Sequence, residues 1–321
     1  MLLPVWPRAH GSPLFSAQLR SRPEDFQVIE HLGWEPSGDG EHDFLYLTKI
    51  GANTDWVARQ LAQFAGVPAK DVGFAGLKDR HAVTQQWFSV PRWHSPDWEQ
   101  LSVEGVTLLQ VDRHLRKLRR GAHKTNAFCI QLRSSEGIDK QEVHERCKLI
   151  RAAGVPNYFG EQRFGRNAGN LKLAEDWACG RRLSRQKRSL AISVMRSFCF
   201  NDALACRVRD ASWNYLLPGD KVNLDGSASV FEVSEIDDEL RTRCKHLDIH
   251  PSGVLAGEGT PISSEHWQAA LRKARVQEGE RSLRLKVQDL HAEVGDAGVT
   301  ISFELGRGAF ATSVLRELCS W

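Results

Sequence analysis

Gly73-Phe74-Ala75-Gly76-Leu77-Lys78-Asp79-Arg80-His81-Ala82-Val83-Thr84-Gln85-Gln86 is the stretch on which the reading of this chain turns. It approaches through apolar residues punctuated by two glycines, turns through three consecutive charges, and leaves as a Thr/Gln-rich strand. Two glycines three apart allow tight backbone conformations that a Cβ resists. A carboxylate between Lys78 and Arg80 is biased toward its ionised form if all three stay close in space. Such a stretch can present a carboxylate nucleophile. It is also how an ordinary charged turn is written, and these residues alone leave both readings open.

On its N-terminal side, His42 to Ile50 alternates in the manner of a strand with apolar groups on both faces. Gly51-Ala52-Asn53-Thr54 then leads into a helix, with Thr54 as N-cap, Asp55 in the first turn and Val57, Leu61 and Phe64 as the buried stripe. Gly66 and Pro68 end it. Further upstream, Pro23-Glu24-Asp25 reads as a turn into a strand from Phe26 to Ile29. Downstream, the 83–86 strand continues to Pro91, and Leu101 to Val111 reads as another strand. In Asn126 to Arg133, period two places Asn126, Phe128, Ile130 and Leu132 on one face. Gly137 to Arg151 reads as a helix begun near Asp139.

From Gly154 the character changes. Residues 154–166, rich in glycine, aromatics and arginine, suit a loop. Helices follow at 171–177, 189–210 and, from a Ser263-Ser264 cap, to Val276, with Phe231-Glu232-Val233 the clearest strand. Strand character returns at 283–287 and 299–305, before a short helix over 310–318. Strand-rich ends flanking a mainly helical middle predict an inserted domain.

At 321 residues, two domains are the first expectation. A hydrophobic content of 41% against 26% charged residues describes a soluble globular protein. No apolar run approaches the roughly 18 residues that a membrane-spanning helix needs. Met1 to Arg8 lacks the basic start and long apolar core of a secretory signal. The 7 cysteines are scattered, without C-x-x-C or Cys/His spacing, which argues against structural zinc and a disulfide framework and for the cytoplasm. The Gly73-x-x-Gly76-x-Lys78 pattern lacks the G-K-[ST] ending of a phosphate-cradling loop. Net charge is only +3, yet 113–124 and 181–188 contain no acidic residue. A single such run reads as a solvated face; two, each beside another motif, point to phosphate contact.

The Gly73–Gln86 stretch closely resembles the signature of the TruD family of tRNA pseudouridine synthases. So do Arg22-Pro23-Glu24-Asp25-Phe26, Gly121-Ala122-His123-Lys124-Thr125-Asn126-Ala127-Phe128, the 156–165 segment PNYFGEQRFG and the 308–318 segment GAFATSVLREL, in the family's order. The resemblance implies an α+β fold: a pseudouridine synthase catalytic domain with a curved mixed β-sheet (1–153 and 285–321), interrupted by an inserted, mainly helical α/β TRUD domain (154–284). It implies a monomer that isomerises uridine 13 in the D arm of tRNA, commonly glutamate tRNA, without cofactor or metal.

The same resemblance assigns Asp79 as the nucleophile and Arg20 as the basic residue ahead of the Pro-Glu-Asp-Phe turn. Phe128 becomes the ring that stacks on the flipped uracil, and Phe26, Asn126 and Phe310 match positions that contact the substrate nucleotide. Arg116, Lys117, Arg119, Arg120 and Lys124, with Arg181, Arg182, Arg185, Lys187 and Arg188, become candidates for tRNA phosphate contact. A non-catalytic tRNA-binding module and an aspartate-dependent hydrolase are the competing classes.

Overall fold

The computed structural model describes residues 3–321, so Met1 and Leu2 of the Met1–Arg8 stretch lie outside the described residues. The described residues form two compact units: one of residues 14–147, 288–308 and 319–321, the other of residues 3–13, 148–287 and 309–318.

The first unit is built on one large sheet. Its main strands are β1 (Phe26–His31), β2 (His42–Ile50), β3 (Val83–Pro91), β4 (Val106–His114), β5 (Thr125–Arg133), β6 (Gln288–Gly295) and β7 (Gly298–Gly306). They lie in the order β6-β7-β5-β1-β3-β2-β4. Only β1 and β3 run parallel; the other neighbours along this path are antiparallel, so the sheet is mixed. Two short strands join it, Gln18–Leu19 against β5 and Gly73–Phe74 against β3.

Helix α1 (Thr54–Ala65) lies on one face of this sheet, its Val57, Leu61 and Ala65 clustered with Leu45, Leu47 and Phe88. Phe64, expected in the stripe, is 37% exposed. Ala58, Ala62 and Ala65 form the stripe instead, rotating it so that Phe64 falls at its margin against Trp98. Gly66 closes the helix in the left-handed conformation (φ 67). The N-cap is Asn53 rather than Thr54, which is the first helical residue and uses its hydroxyl elsewhere. The strand expected over Leu101 to Val111 begins only at Val106, because the chain turns back between Val103 and Val106, where Val106 N donates to Val103 O at 3.0 Å and Gly105 takes φ 70.

Helix α2 (Lys140–Ala153) starts where Asp139 Oδ1 accepts from Gln141 N at 2.7 Å. The second unit holds α3 (Gly169–Ala178), α4 (Arg185–Arg209), α5 (Asp238–Lys245) and α6 (Glu265–Lys273), the last capped by Ser264. A four-stranded antiparallel sheet, Val230–Glu232, Lys221–Leu224, Ile249–Leu255 and Gly279–Ser282, completes it. Its main core gathers Phe164, Leu171, Val194, Met195, Phe200, Leu204 and Leu283. Residues 283–287 are mostly not strand: only Arg284–Leu285 pairs, with Val155–Pro156 inside the expected glycine-rich loop. Helix α4 begins earlier than expected, so Arg185, Lys187 and Arg188 lie on its first turn, where Ser184 caps it. No helix among the described residues is long and apolar enough to cross a membrane.

Candidate active site

Strand register builds the site's floor. Glu30 of β1 stands opposite Asn126 of β5, and Val28 opposite Phe128. Val28 also stands opposite Thr84 of β3, Thr84 opposite Lys49 of β2, and Gln86 opposite Leu47. Period two puts Phe26, Glu30, Lys49, Thr84, Gln86, Asn126 and Phe128 on a single face, the one that carries α1. A sheet face under a helix is normally apolar; here Glu30, Lys49, Thr84 and Gln86 are all buried on it.

Glu30, Lys49 and Gln86, with Thr54 of α1, hold the loop from Gly76 to Arg80. Thr54 Oγ1 donates to Gln86 Oε1 at 2.9 Å and accepts from Lys78 N at 2.9 Å. Gln86 Nε2 donates to Gly76 O at 3.2 Å. Lys78 Nζ reaches Glu30 Oε2 at 2.5 Å, and Glu30 Oε1 also accepts from Trp87 N at 3.2 Å. Lys49 Nζ donates to the backbone carbonyl of Asp79 at 3.0 Å. The loop is therefore fastened at Gly76, Lys78 and Asp79, leaving Leu77 65% exposed at its tip.

The glycines serve a different purpose from the one their spacing suggests. Neither Gly73 nor Gly76 has positive φ. A Cβ on Gly73 would lie 2.4 Å from Leu118 O and 2.5 Å from Ser89 Oγ, so this position requires glycine for close approach.

Asp79 does not pair with the cations beside it in sequence. Lys78 turns to Glu30, and Arg80 Nε donates to Gly51 O at 2.9 Å. The partner is Arg20, whose Nη2 donates to Asp79 Oδ2 at 2.8 Å, with the Asp79 side chain 44% exposed. Arg20 sits at φ 62, a left-handed conformation unusual for a residue with a Cβ. From there its guanidinium lies 4.1 Å over the Phe26 ring. The Arg22–Phe26 motif supports this approach. Asp25 accepts from Arg22 N at 3.0 Å and from Arg133 Nε and Nη2 at 2.8 and 2.5 Å, tying the Pro23–Asp25 turn to β5. The Arg133 guanidinium holds the Asp25 carboxyl below its ordinary range.

Phe26 meets Phe128 edge-on with centroids 6.2 Å apart, and Phe128 stacks on Phe303 at 5.2 Å. Asn126 Oδ1 is buried without a hydrogen-bond partner among the described residues. His123 is buried nearby, its imidazole pushed down by burial and by the Lys78 charge. Beside the loop a cleft of about 470 Å³ is lined by Trp56, Arg59 and Arg80 with the 50–53 turn.

Thus Arg20, Phe26, Asp79, Asn126 and Phe128 lie in one unit. Phe310 belongs to the other, beside Phe159 (6.0 Å) and the Arg281 guanidinium (5.7 Å). There the 156–165 and 308–318 motifs meet: Ser313 Oγ donates to Tyr158 O at 2.9 Å, and Arg281 Nη2 to Asn157 Oδ1 at 2.5 Å.

Of the first basic run, Arg116, Arg119, Arg120 and Lys124 are exposed. Lys117 is held to Lys70 O at 2.6 Å, and Arg120 lies 3.6 Å over the Phe74 ring. Arg181, Arg182, Arg185, Lys187 and Arg188 are exposed in the second unit, with Arg181 paired to Asp176 at 2.7 Å. Sequence reasoning missed Glu30, Lys49, Thr54 and Gln86. A lysine in phase with Leu45 and Leu47 was the available signal for Lys49.

A family profile described as tRNA pseudouridine synthase D (TruD) matches residues 9–176 and 171–318. The tRNA pseudouridine synthase D of Methylococcus capsulatus is 46% identical, the match covering 97% of this chain and 93% of that protein. The protein of the same name from Nitrosococcus oceani is 43% identical, over 95% of this chain and 91% of its own length. A crystal structure from Methanosarcina mazei that carries the TruD name superposes with a TM-score of 0.71 at 20% identity, covering 97% of this chain and 95% of that one. The α+β architecture is shared with that structure. By its full-length relatives and the profile match, the chain belongs to the tRNA pseudouridine synthase D family.

Proposed function

We propose that this protein converts uridine to pseudouridine in tRNA, at position 13 of the D arm and with glutamate tRNA as a substrate, and that Asp79 is its nucleophile. The observation that carries the reading is a solvent-accessible carboxylate held by Arg20 at 2.8 Å, within a unit that also carries Asn126 and Phe128 on one sheet face, with Phe26 buried beside them beneath the Arg20 guanidinium. On this reading residues 1–153 and 285–321 are the catalytic domain, built on the large sheet, and 154–284 the inserted TRUD domain, the protein acting as a cytoplasmic monomer.

The reaction breaks the bond between uracil N1 and ribose C1′ and forms one between C5 and C1′. C5 loses its proton to solvent and N1 gains one, so no electrons or groups enter overall. The carboxylate adds to uracil C6, attacks C1′, or removes the 2′ proton to give a glycal; each route needs it unprotonated and close to the nucleoside. The target base must first leave its stack. A flipped uracil offers N3–H as a donor, which the buried, unpartnered Asn126 Oδ1 can accept, and a face for Phe128. Such stacking is worth about 1–3 kcal/mol per base. Arg116, Lys117, Arg119, Arg120 and Lys124 lead into β5 and supply phosphate contacts toward the same unit. Arg181, Arg182, Arg185, Lys187 and Arg188 supply them from the other.

The test is tritium release from tRNA carrying 5-tritiated uridine, with pseudouridine mapped in tRNA from cells with and without the protein. Asp79→Asn should lose release while still binding tRNA. Release at the wild-type rate by that variant would falsify the nucleophile role, and appearance of free uracil would make the protein a hydrolase.

A further inference from the structure

Lys49 has no part in the chemistry proposed above, yet its surroundings are unusual for a lysine. It is wholly buried, on β2 in phase with Leu45 and Leu47, and no carboxylate pairs with it among the described residues. Its ammonium donates to two backbone carbonyls, Ala52 O at 2.8 Å and Asp79 O at 3.0 Å. Ala52 belongs to the turn that enters α1, so one side chain fastens the Asp79 peptide to the base of that helix.

If Lys49 served packing alone, a methionine would fill the space without the desolvation of a charge, and replacing buried ions by apolar residues is often neutral or stabilising. The buried cation, whose desolvation offsets much of what its two hydrogen bonds contribute, is therefore an inefficient device for stability. It is a good device for holding a particular peptide in a fixed orientation, because a charge-assisted hydrogen bond in a dry site is strong and directional. Arg20 grips the Asp79 carboxylate itself; Lys49 grips the backbone that carries it. Across the sheet, the neighbouring Thr84 brings no charge, and Glu30 is already engaged by Lys78.

We infer that Lys49 is a positioning residue, which sets the orientation of the Asp79 carboxylate by anchoring the Asp79 peptide from the core. The inference rests on the reading of Asp79 as nucleophile. Burial pushes the Lys49 ammonium down to about 8, with the Asp79 charge opposing that shift and the Lys78 charge adding to it. A lysine with a depressed folded value keeps its proton below about pH 8 and loses it above, so the anchor weakens as pH rises through that value.

The experiment compares wild type, Lys49→Met, Lys49→Arg and Asp79→Asn. In Lys49→Met the single-turnover rate should fall about 10- to 100-fold, the scale at which misplaced reacting groups lose rate. Affinity for tRNA should stay at the wild-type value, and the urea midpoint should fall because the Ala52 and Asp79 carbonyls lose their donor, so the rate is read per folded molecule. The wild-type rate should decline above about pH 8, and that limb should vanish in Lys49→Met. Lys49→Arg, which keeps a donor, should recover part of the rate.

A lower urea midpoint with a wild-type rate per folded molecule would make Lys49 merely structural and overturn the inference. The wild type supplies a check that requires no variant. The pH at which the rate declines should match the titration of the Lys49 Cε signal by nuclear magnetic resonance, and a mismatch also overturns it. The two readings separate cleanly. Wild-type activity in Asp79→Asn removes the nucleophile, whereas an inactive Asp79→Asn beside a fully active Lys49→Met removes only the role of Lys49.

Discussion

Breaking the Lys78–Glu30 pair is the most direct probe of how the Asp79 loop is held. The Glu30 side chain is wholly buried and that of Lys78 is 6% exposed, with Nζ 2.5 Å from Oε2. Removing one partner of such a pair leaves an uncompensated charge, at a cost of about 3–5 kcal/mol. Glu30 retains the Trp87 N–H in the Lys78→Met variant, so the lower end, about 3 kcal/mol, applies. Glu30→Gln in that background keeps an acceptor for Trp87 N and removes the charge, so the double variant should return to within about 1 kcal/mol of wild type. A double-mutant cycle by urea denaturation, followed by tryptophan fluorescence, measures the coupling. Tritium release should fall in both variants that lack Lys78, because the residue preceding Asp79 loses its side-chain anchor and keeps only the backbone bond to Thr54. If Lys78→Met unfolds at the wild-type midpoint and the two changes add within about 0.5 kcal/mol, the pair does not hold the loop.

Charge reversal at Arg116, Arg119 and Arg120 should weaken tRNA binding and flatten its salt dependence by about 0.7–0.9 in slope for each phosphate that is no longer neutralised. An unchanged slope removes the run from the interface. Asp25→Asn should cost about 1.5–3 kcal/mol near neutral pH, the worth of a hydrogen bond to a charged group. Arg133 depresses the folded Asp25 value, so its contribution is present above the unfolded value of 3.8 and is lost as pH falls through the folded one. The midpoints of wild type and variant should therefore differ near neutral pH and converge at acid pH; a difference that persists at acid pH refutes the assignment.

Much of the sheet was legible because strands announce themselves locally. The alternation of 126–133 places Asn126 and Phe128 on a common face whatever lies beside them, and β5 has that face. The Gly66 ending of α1 was equally local, a left-handed residue after an amphipathic run. Phe64 was misread because the buried stripe runs through Ala58, Ala62 and Ala65, small residues that a reading by side-chain size passes over. Thr54 looked like an N-cap because its type and place fit one. Its hydroxyl was instead taken by Gln86 and Lys78, residues 32 and 24 positions away.

What the sequence by itself determined is the alternation of the strands, the amphipathic helices, and the motifs that mark the family. These depend on a residue and its near neighbours, or on side-chain identity alone. Only the tertiary structure decided that Asp79 answers to Arg20, 59 positions away, while the adjacent Lys78 turns to Glu30, 48 away. It alone decided that Lys49 lies beneath Asp79 and that residues 309–318 fold with the middle of the chain. The reason is that a charged side chain bonds whichever partner the sheet register and loop closure bring within about 3 Å, and proximity along the chain does not determine that distance.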